Sequence, residues 1–286
     1  MRPLLPLLLL ALPARADDPF ETTLKIFEDV APHAFTPGSK SRVYPAVEAM
    51  VESDDPRAVL PLVMLLVDTL TAQDRLQGEI KKAQTRAAEA YRRSQDIERE
   101  LTVLRVREKA GAIDVGPKIE ERESALRKEG AAFRQVREEA DRFDRLIQFS
   151  KELRGKLSDG ASTLLRSLGS ERGGPVLPEI RRILDISDER QSVHLALILR
   201  DCGLAAAAPH MLEVLQHPKA SEATRRHAIS GVVPLAGRQE IAALLRFAEA
   251  ETPALRDHAL HVLGLRAQRP FASVAEARAW AESLPK

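Results

Sequence analysis

Residues 195–203 read Leu-Ala-Leu-Ile-Leu-Arg-Asp-Cys-Gly, and a comparable apolar run closed by glycine returns at a fixed distance on both sides. It stands thirty-four residues later as Ile229-Ser230-Gly231-Val232-Val233-Pro234-Leu235-Ala236-Gly237, and thirty-four residues earlier over 161–169. A further copy, Asp257-His258-Ala259-Leu260-His261-Val262-Leu263, follows Arg226-His227-Ala228-Ile229 after thirty-one. A second amphipathic segment comes after each of the first three runs, at 175–184, 209–216 and 239–249. Two short helices repeating every ~31 to 34 residues predict an α-solenoid, because one such pair cannot bury its own apolar face and stacking supplies the core.

Between residues 69 and 157 the period changes. Ile80, Ala87, Ser94 and Leu101 occupy one heptad position, and Leu76, Ala83, Ala90, Ile97 and Leu104 the other, with Arg, Lys, Glu and Gln dominating between them. This is the pattern of a coiled-coil seam. Gly111, Gly116 and Pro117 interrupt it, so a turn is expected near 109–118. A second run then places Ile119, Leu126, Phe133, Ala140 and Ile147 at a, and Val136, Phe143 and Leu157 at d, with Arg122, Glu129 and Ser150 breaking that row. Two such arms on a short turn bury their seams only as an antiparallel hairpin, each arm reaching ~50 to 60 Å at 1.5 Å per residue. Small Ala83, Ala87, Ala90 and Ser94 can face bulky Phe133, Val136 and Phe143, although adjacent registers pair small with large almost equally well.

The repeating segments also carry a family resemblance. Ala220-Ser221-Glu222-Ala223-Thr224-Arg225-Arg226-His227-Ala228-Ile229, followed by Gln239-Glu240-Ile241-Ala242-Ala243-Leu244-Leu245, resembles the short HEAT repeats named after phycobilisome lyases. Glu251 to Leu260 resembles the opening of the next repeat, and 42–50 with 54–62 one more near the N-terminus. The resemblance covers roughly half the chain without its first 16 residues and implies fold rather than activity, since scaffolds, lyases and hydroxylases share it. The expected layout is all-α: HEAT-like helices over 17–68, the inserted hairpin over 69–157 and HEAT-like repeats over 158–269. A capping helix with Trp280 completes it over 270–286. Helix-ending signals are expected at Gly155, Ser158 and Gly160, and the helix starting near Pro56 is expected to run through Asp68 into the first arm.

Residues 1–16, MRPLLPLLLLALPARA, read as a signal peptide: Arg2 forms the basic start, Leu4 to Leu12 the apolar stretch, and Ala14-Arg15-Ala16 the small-x-small cleavage site. Cleavage before Asp17 predicts an exported chain, periplasmic or extracellular. The apolar stretch is well short of the ~20 residues a spanning helix needs, so no direct membrane insertion is expected. Cys202 is the single cysteine, which excludes an intrachain disulfide and reads as a small buried thiol. With 43 basic and 42 acidic residues, the formal net charge is +1, and loss of Arg2 and Arg15 makes it about −1. Neither value steers a polyanion, so a nucleic-acid partner is not expected.

No Walker loop, nucleophile elbow or His-Glu-x-x-His motif is present, and none of the seven histidines precedes a glutamate as the di-iron HEAT hydroxylases would require. The reading is therefore noncatalytic and without cofactor: a scaffold binding protein partners on its repeats, with the hairpin as spacer or homodimerisation arm. Arg181, Arg182 and Arg246, in the second helices, are the candidate partner-binding residues, since second helices commonly line the concave face of such solenoids and arginine pairs with carboxylates. The alternative is a metal-binding or enzymatic accessory protein. It rests on His227 and His258, at equivalent positions in successive repeats, and His261 one turn on, a set suited to zinc or copper.

Overall fold

The structure, a computed structural model, describes residues 18–36 and 38–284. The expected signal peptide, with its cleavage site before Asp17, lies outside the described residues. Those residues are helical throughout, with no strand among them. They divide into two compact units, one joining the chain up to Leu70 with the chain from Glu152 onward, the other spanning Thr71–Lys151.

In the first unit, α1 (Pro19–Val30) starts where Asp18 accepts a hydrogen bond from the Phe20 amide and Pro19 presets the first helical φ. Its buried stripe, Phe20, Leu24, Phe27 and Val30, packs on α2 (Lys40–Glu52). A 3₁₀ turn over Pro56–Ala58 leads into α3 (Val59–Lys109), whose opening turns bury Leu62, Leu66 and Leu70. Arg57 ties this entry down: its guanidinium meets Asp55 in a two-point pair and also reaches Glu21 at 3.3 Å, with its plane 4.5 Å from the Phe20 ring centre.

α4 runs from Gly116 to Gly173 with a kink at Gly169, where φ is +66°. The expected stops at Gly155, Ser158 and Gly160 are therefore interior to a helix. Gly160 explains how: a Cβ there would lie 2.7 Å from Val51 Cγ2, so the missing side chain admits α2 at close range. Packing of Leu153, Leu157, Leu164 and Leu165, all fully buried, outweighs the ~1 kcal/mol propensity cost of each glycine. Leu157, expected in the hairpin seam, thus belongs to the core of the first unit.

After α4 come α5 (Leu177–Ile186), α6 (Glu189–Asp201), α7 (Ala207–Gln216), α8 (Glu222–Leu235), α9 (Arg238–Ala250), α10 (Pro253–Ala267) and α11 (Val274–Glu282). Four of these starts are fixed by side-chain caps of one kind, that of α11 by Ser273 accepting from the Glu276 amide. Asp188 forms a capping box with Gln191, Ser221 accepts from the Thr224 amide, and Thr252 accepts from the Leu255 amide. The helices pack in two rows: α6 on α8 and α8 on α10 in one, α5 on α7, α7 on α9 and α9 on α11 in the other. Leu195, Ile198, Ile229, Val232 and Leu263 bury the first row, while Met211, Leu215, Leu244 and Leu245 bury the second. Phe271 and Trp280 pack with ring centres 5.5 Å apart at the α11 end.

The second unit is a long helix pair made by α3 and α4 around a turn at 110–115. Ala83, Ala90, Leu101, Val115, Ile119 and Ile147 are buried along it. Four ion pairs cross between the arms, Arg86–Glu139 (3.1 Å), Arg93–Glu129 (3.1 Å), Arg122–Glu100 (2.8 Å) and Arg105–Glu123 (2.7 Å). From Arg86 through Arg93 to Glu100 on α3, the partners on α4 fall from Glu139 through Glu129 to Arg122, which makes the pair antiparallel. Tyr91 against Phe133, with ring centres 6.2 Å apart, sets the register that the seam pattern alone leaves open. Near the turn, Val103 and Val106 are more than half exposed and Ile113 fully so.

Candidate functional site

The three candidate arginines have unlike surroundings. Arg181, on α5, is only 17% exposed, and its Nε lies 3.2 Å from Glu213 Oε2 on α7, so this side chain bridges neighbouring helices of one row. Arg278 and Glu249 make the corresponding bridge between α11 and α9 at 2.7 Å. Arg182 is 73% exposed and held at 2.6 Å by Glu179 one turn away, and Arg246 is exposed on α9. Arg182 and Arg246 are thus presented to solvent, whereas Arg181 is committed to packing.

The histidines lie in the other row. His227 and His258 both fall on the sixth residue after their N-caps, Ser221 and Thr252, on helices in direct contact. His194 holds the same place in α6, six residues after Asp188. It is the member missing from the sequence-based trio, although its offset of thirty-three residues from His227 signals the equivalence. His258 Nε2 lies 3.2 Å from the Arg226 carbonyl and 3.1 Å from Ser230 Oγ, both on α8. A carbonyl only accepts, so Nε2 carries hydrogen and Nδ1 is the basic nitrogen.

Electrostatics along this row are one-sided. Burial pushes the His194 imidazole down to about 4, with Arg154, Arg190 and His227 adding repulsion. Burial also lowers His227, helped by Arg200 and His258 and opposed by Asp201. His258 is lowered by burial, then by Arg226 and His261, against the favourable Arg226 carbonyl bond. Each protonation would therefore place a cation beside existing cations.

Among the described residues, no three His, Cys, Asp or Glu side chains are gathered as metal ligands. His227, His258 and His261 therefore do not form the zinc or copper set considered from sequence. His258 and His261 share α10 while His227 stands on α8, and His258 commits its Nε2 to the Arg226 carbonyl. His261 instead borders an open cleft of about 590 Å³ with Asp257, Leu265, Arg269 and Phe271. Cys202 is fully buried, its thiol 3.1 Å from the Leu199 carbonyl, and burial raises it further from the thiolate.

Comparisons with protein-family models, curated proteins and solved structures return no match.

Proposed function

We propose that this chain is an exported, noncatalytic scaffold whose short HEAT-like repeats form a solenoid surface for a protein partner, with the coiled-coil hairpin as spacer or dimerisation arm. The observation that carries the reading is the pairing of two helix rows, α6–α8–α10 and α5–α7–α9–α11, with like residues at like positions. Such rows offer an extended surface studded with side chains such as Arg182 and Arg246 rather than an enclosed reaction chamber. Exposed Val103, Val106 and Ile113 support a contact role for the arm.

The test is photocrosslinking of the full chain in its native envelope fraction, with the probe placed in turn at positions 182, 246 and 113. Discrete adducts with another protein from 182 or 246, and with that protein or a second copy from 113, are expected. Absence of protein adducts from all three positions would remove the scaffold reading. Intact mass of the purified native protein is expected to place Asp17 at its start, and a retained Met1 would overturn export by cleavage.

A further inference from the structure

The helix row α6–α8–α10 ends at α10. Along it α6 packs on α8 and α8 on α10, while α10 borders the open cleft of about 590 Å³. Asp257, His261, Leu265 and Gln268 line that cleft at steps of four, four and three residues, so a single helix face follows it for about 16 Å at 1.5 Å per residue. The segment after the helix supplies the other wall. Gln268 turns left-handed at φ +55°, the Arg269 amide returns to the Gly264 carbonyl at 3.0 Å, and Phe271 packs on Trp280. Gly264 permits this approach, since a Cβ there would lie 2.9 Å from the Arg269 carbonyl oxygen. Among the described residues from α5 onward, Leu265 is the exposed large apolar side chain, at 66%, and it falls in this cleft. Asp257 stands toward the start of α10 and Arg269 just past its end. Both are exposed, and neither takes part in an ion pair among the described residues. The Arg269 guanidinium rests 5.2 Å from the Phe271 ring centre instead.

We infer that this cleft is a docking groove for one amphipathic helix of the partner, laid antiparallel to α10 with its basic last turn at Asp257 and its acidic first turn at Arg269. Shape supplies the first argument: a trough following one helix face for three turns, walled on its other side by backbone, admits a second helix as ridges enter grooves. Apolar chemistry supplies the second. Side chains at i, i+3 or i+4, and i+7 of the occupant cover Leu260, Leu265 and Phe271, the helix-in-groove mode of recognition. Charge then sets the direction. A cation beside Asp257 and a carboxylate beside Arg269 complete two pairs for which this chain supplies no counter-ion among the described residues. Helices carry acidic side chains most favourably in the first turn and basic ones in the last, which puts the end of the occupant at Asp257 and so runs it against α10.

The inference rests on the scaffold reading and is tested separately from it. Full-length protein is titrated by fluorescence anisotropy with a labelled, hydrocarbon-stapled helix of about four turns. Leucines stand at i, i+3 and i+7, glutamates in its first turn and lysines in its last, and a second peptide exchanges the glutamates and lysines. The first peptide is expected to bind ~10-fold more tightly than the second. Exposed Leu265→Ser is expected to weaken it ~10-fold through lost apolar burial. Asp257→Lys/Arg269→Glu is expected to reverse the preference between the two peptides, a result that loss of the fold cannot produce. No binding of the first peptide, equal binding of both, or an unreversed preference in the double variant would overturn the inference. Self-association of the protein that Leu265→Ser abolishes would also overturn it, making a second copy the occupant. Protein adducts from positions 182 and 246 in any of these events would leave the scaffold reading intact. Peptide binding as expected, with no protein adduct from positions 182, 246 or 113, would keep the groove and remove that reading.

Discussion

Arg266 of α10 donates from Nη1 to the carbonyl of Val233, 2.6 Å away near the end of α8, and the same nitrogen reaches the Ala236 carbonyl at 2.7 Å. The last carbonyls of a helix have no partner of their own, so a cation from the next helix of the row satisfies them. Arg166 does the same for the Asp201 carbonyl at the end of α6. Arg266→Ala is expected to cost ~1.5 to 3 kcal/mol, the range for hydrogen bonds to a charged group, read as a lowered urea midpoint. Arg266→Lys restores the charge without the planar fork and is expected to recover only part of the loss.

Two glycines make a contrasting pair. A Cβ on Gly231 would come within 2.3 Å of Met211 Sδ and 2.9 Å of Arg200 Cβ, because α8 is wedged against α6 and α7 there. Gly231→Ala is expected to destabilise by ~1 to 3 kcal/mol through forced repacking. At Gly155, inside α4, nothing lies within 4 Å of the added carbon, and Gly155→Ala is expected to stabilise by up to ~1 kcal/mol. Paired urea unfolding curves measure both, and opposite signs are the expected result.

His194 gives the stability a pH dependence. Its folded value of about 4 lies below the usual 6.5, so the unfolded chain binds the proton more readily. The stabilisation is complete above about pH 6.5 and fades as pH falls toward 4, where both states are protonated. Because the ring is only partly shielded from water, the loss is limited to ~1 to 2 kcal/mol. Thermal unfolding of His194→Gln, compared with the parent across that window, should show a flatter pH profile. A parallel profile would remove His194 as its source.

The register of the helix pair is open to a covalent test. Tyr91→Cys/Phe133→Cys places two thiols at facing positions, while Cys202 is buried. A short bismaleimide is expected to link them within one chain, leaving the monomer mass on a denaturing gel. Tyr91→Cys/Ala140→Cys, one heptad out of register, is expected to link far less.

Much of this architecture was legible because it repeats. The thirty-four-residue offset from Leu195 to Ile229 finds α6 and α8, and the heptads from Ile80 and Ile119 find the two arms. Helix ends were less legible where close packing overrides propensity. Gly160 reads as a terminator until Val51 is seen against it, and Gly169, nine residues on, is where the backbone turns left-handed. The site was read unevenly for a related reason. Arg181, Arg182 and Arg246 look alike in sequence, but only the structure places Glu213 beside Arg181. His194 hid because its neighbours, Val193 and Leu195, differ from the Arg-His-Ala setting around His227.

The division at Leu70 and Glu152 has a consequence for how the chain assembles. The first unit is written in two pieces with Thr71–Lys151 between them, so joining its halves through an unstructured spacer would carry a loop-closure penalty before any core contact repaid it. A helix pair that zips from the turn at 110–115 removes most of that spacer as free chain, because each new heptad contact is local once the previous one has formed. During vectorial synthesis, Leu62, Leu66 and Leu70 emerge long before Leu153, Leu157 and Leu164. Kinetically, the arm is then a nucleus that shortens the wait of an otherwise incomplete apolar surface, and weakening its seam should slow folding of residues it never touches.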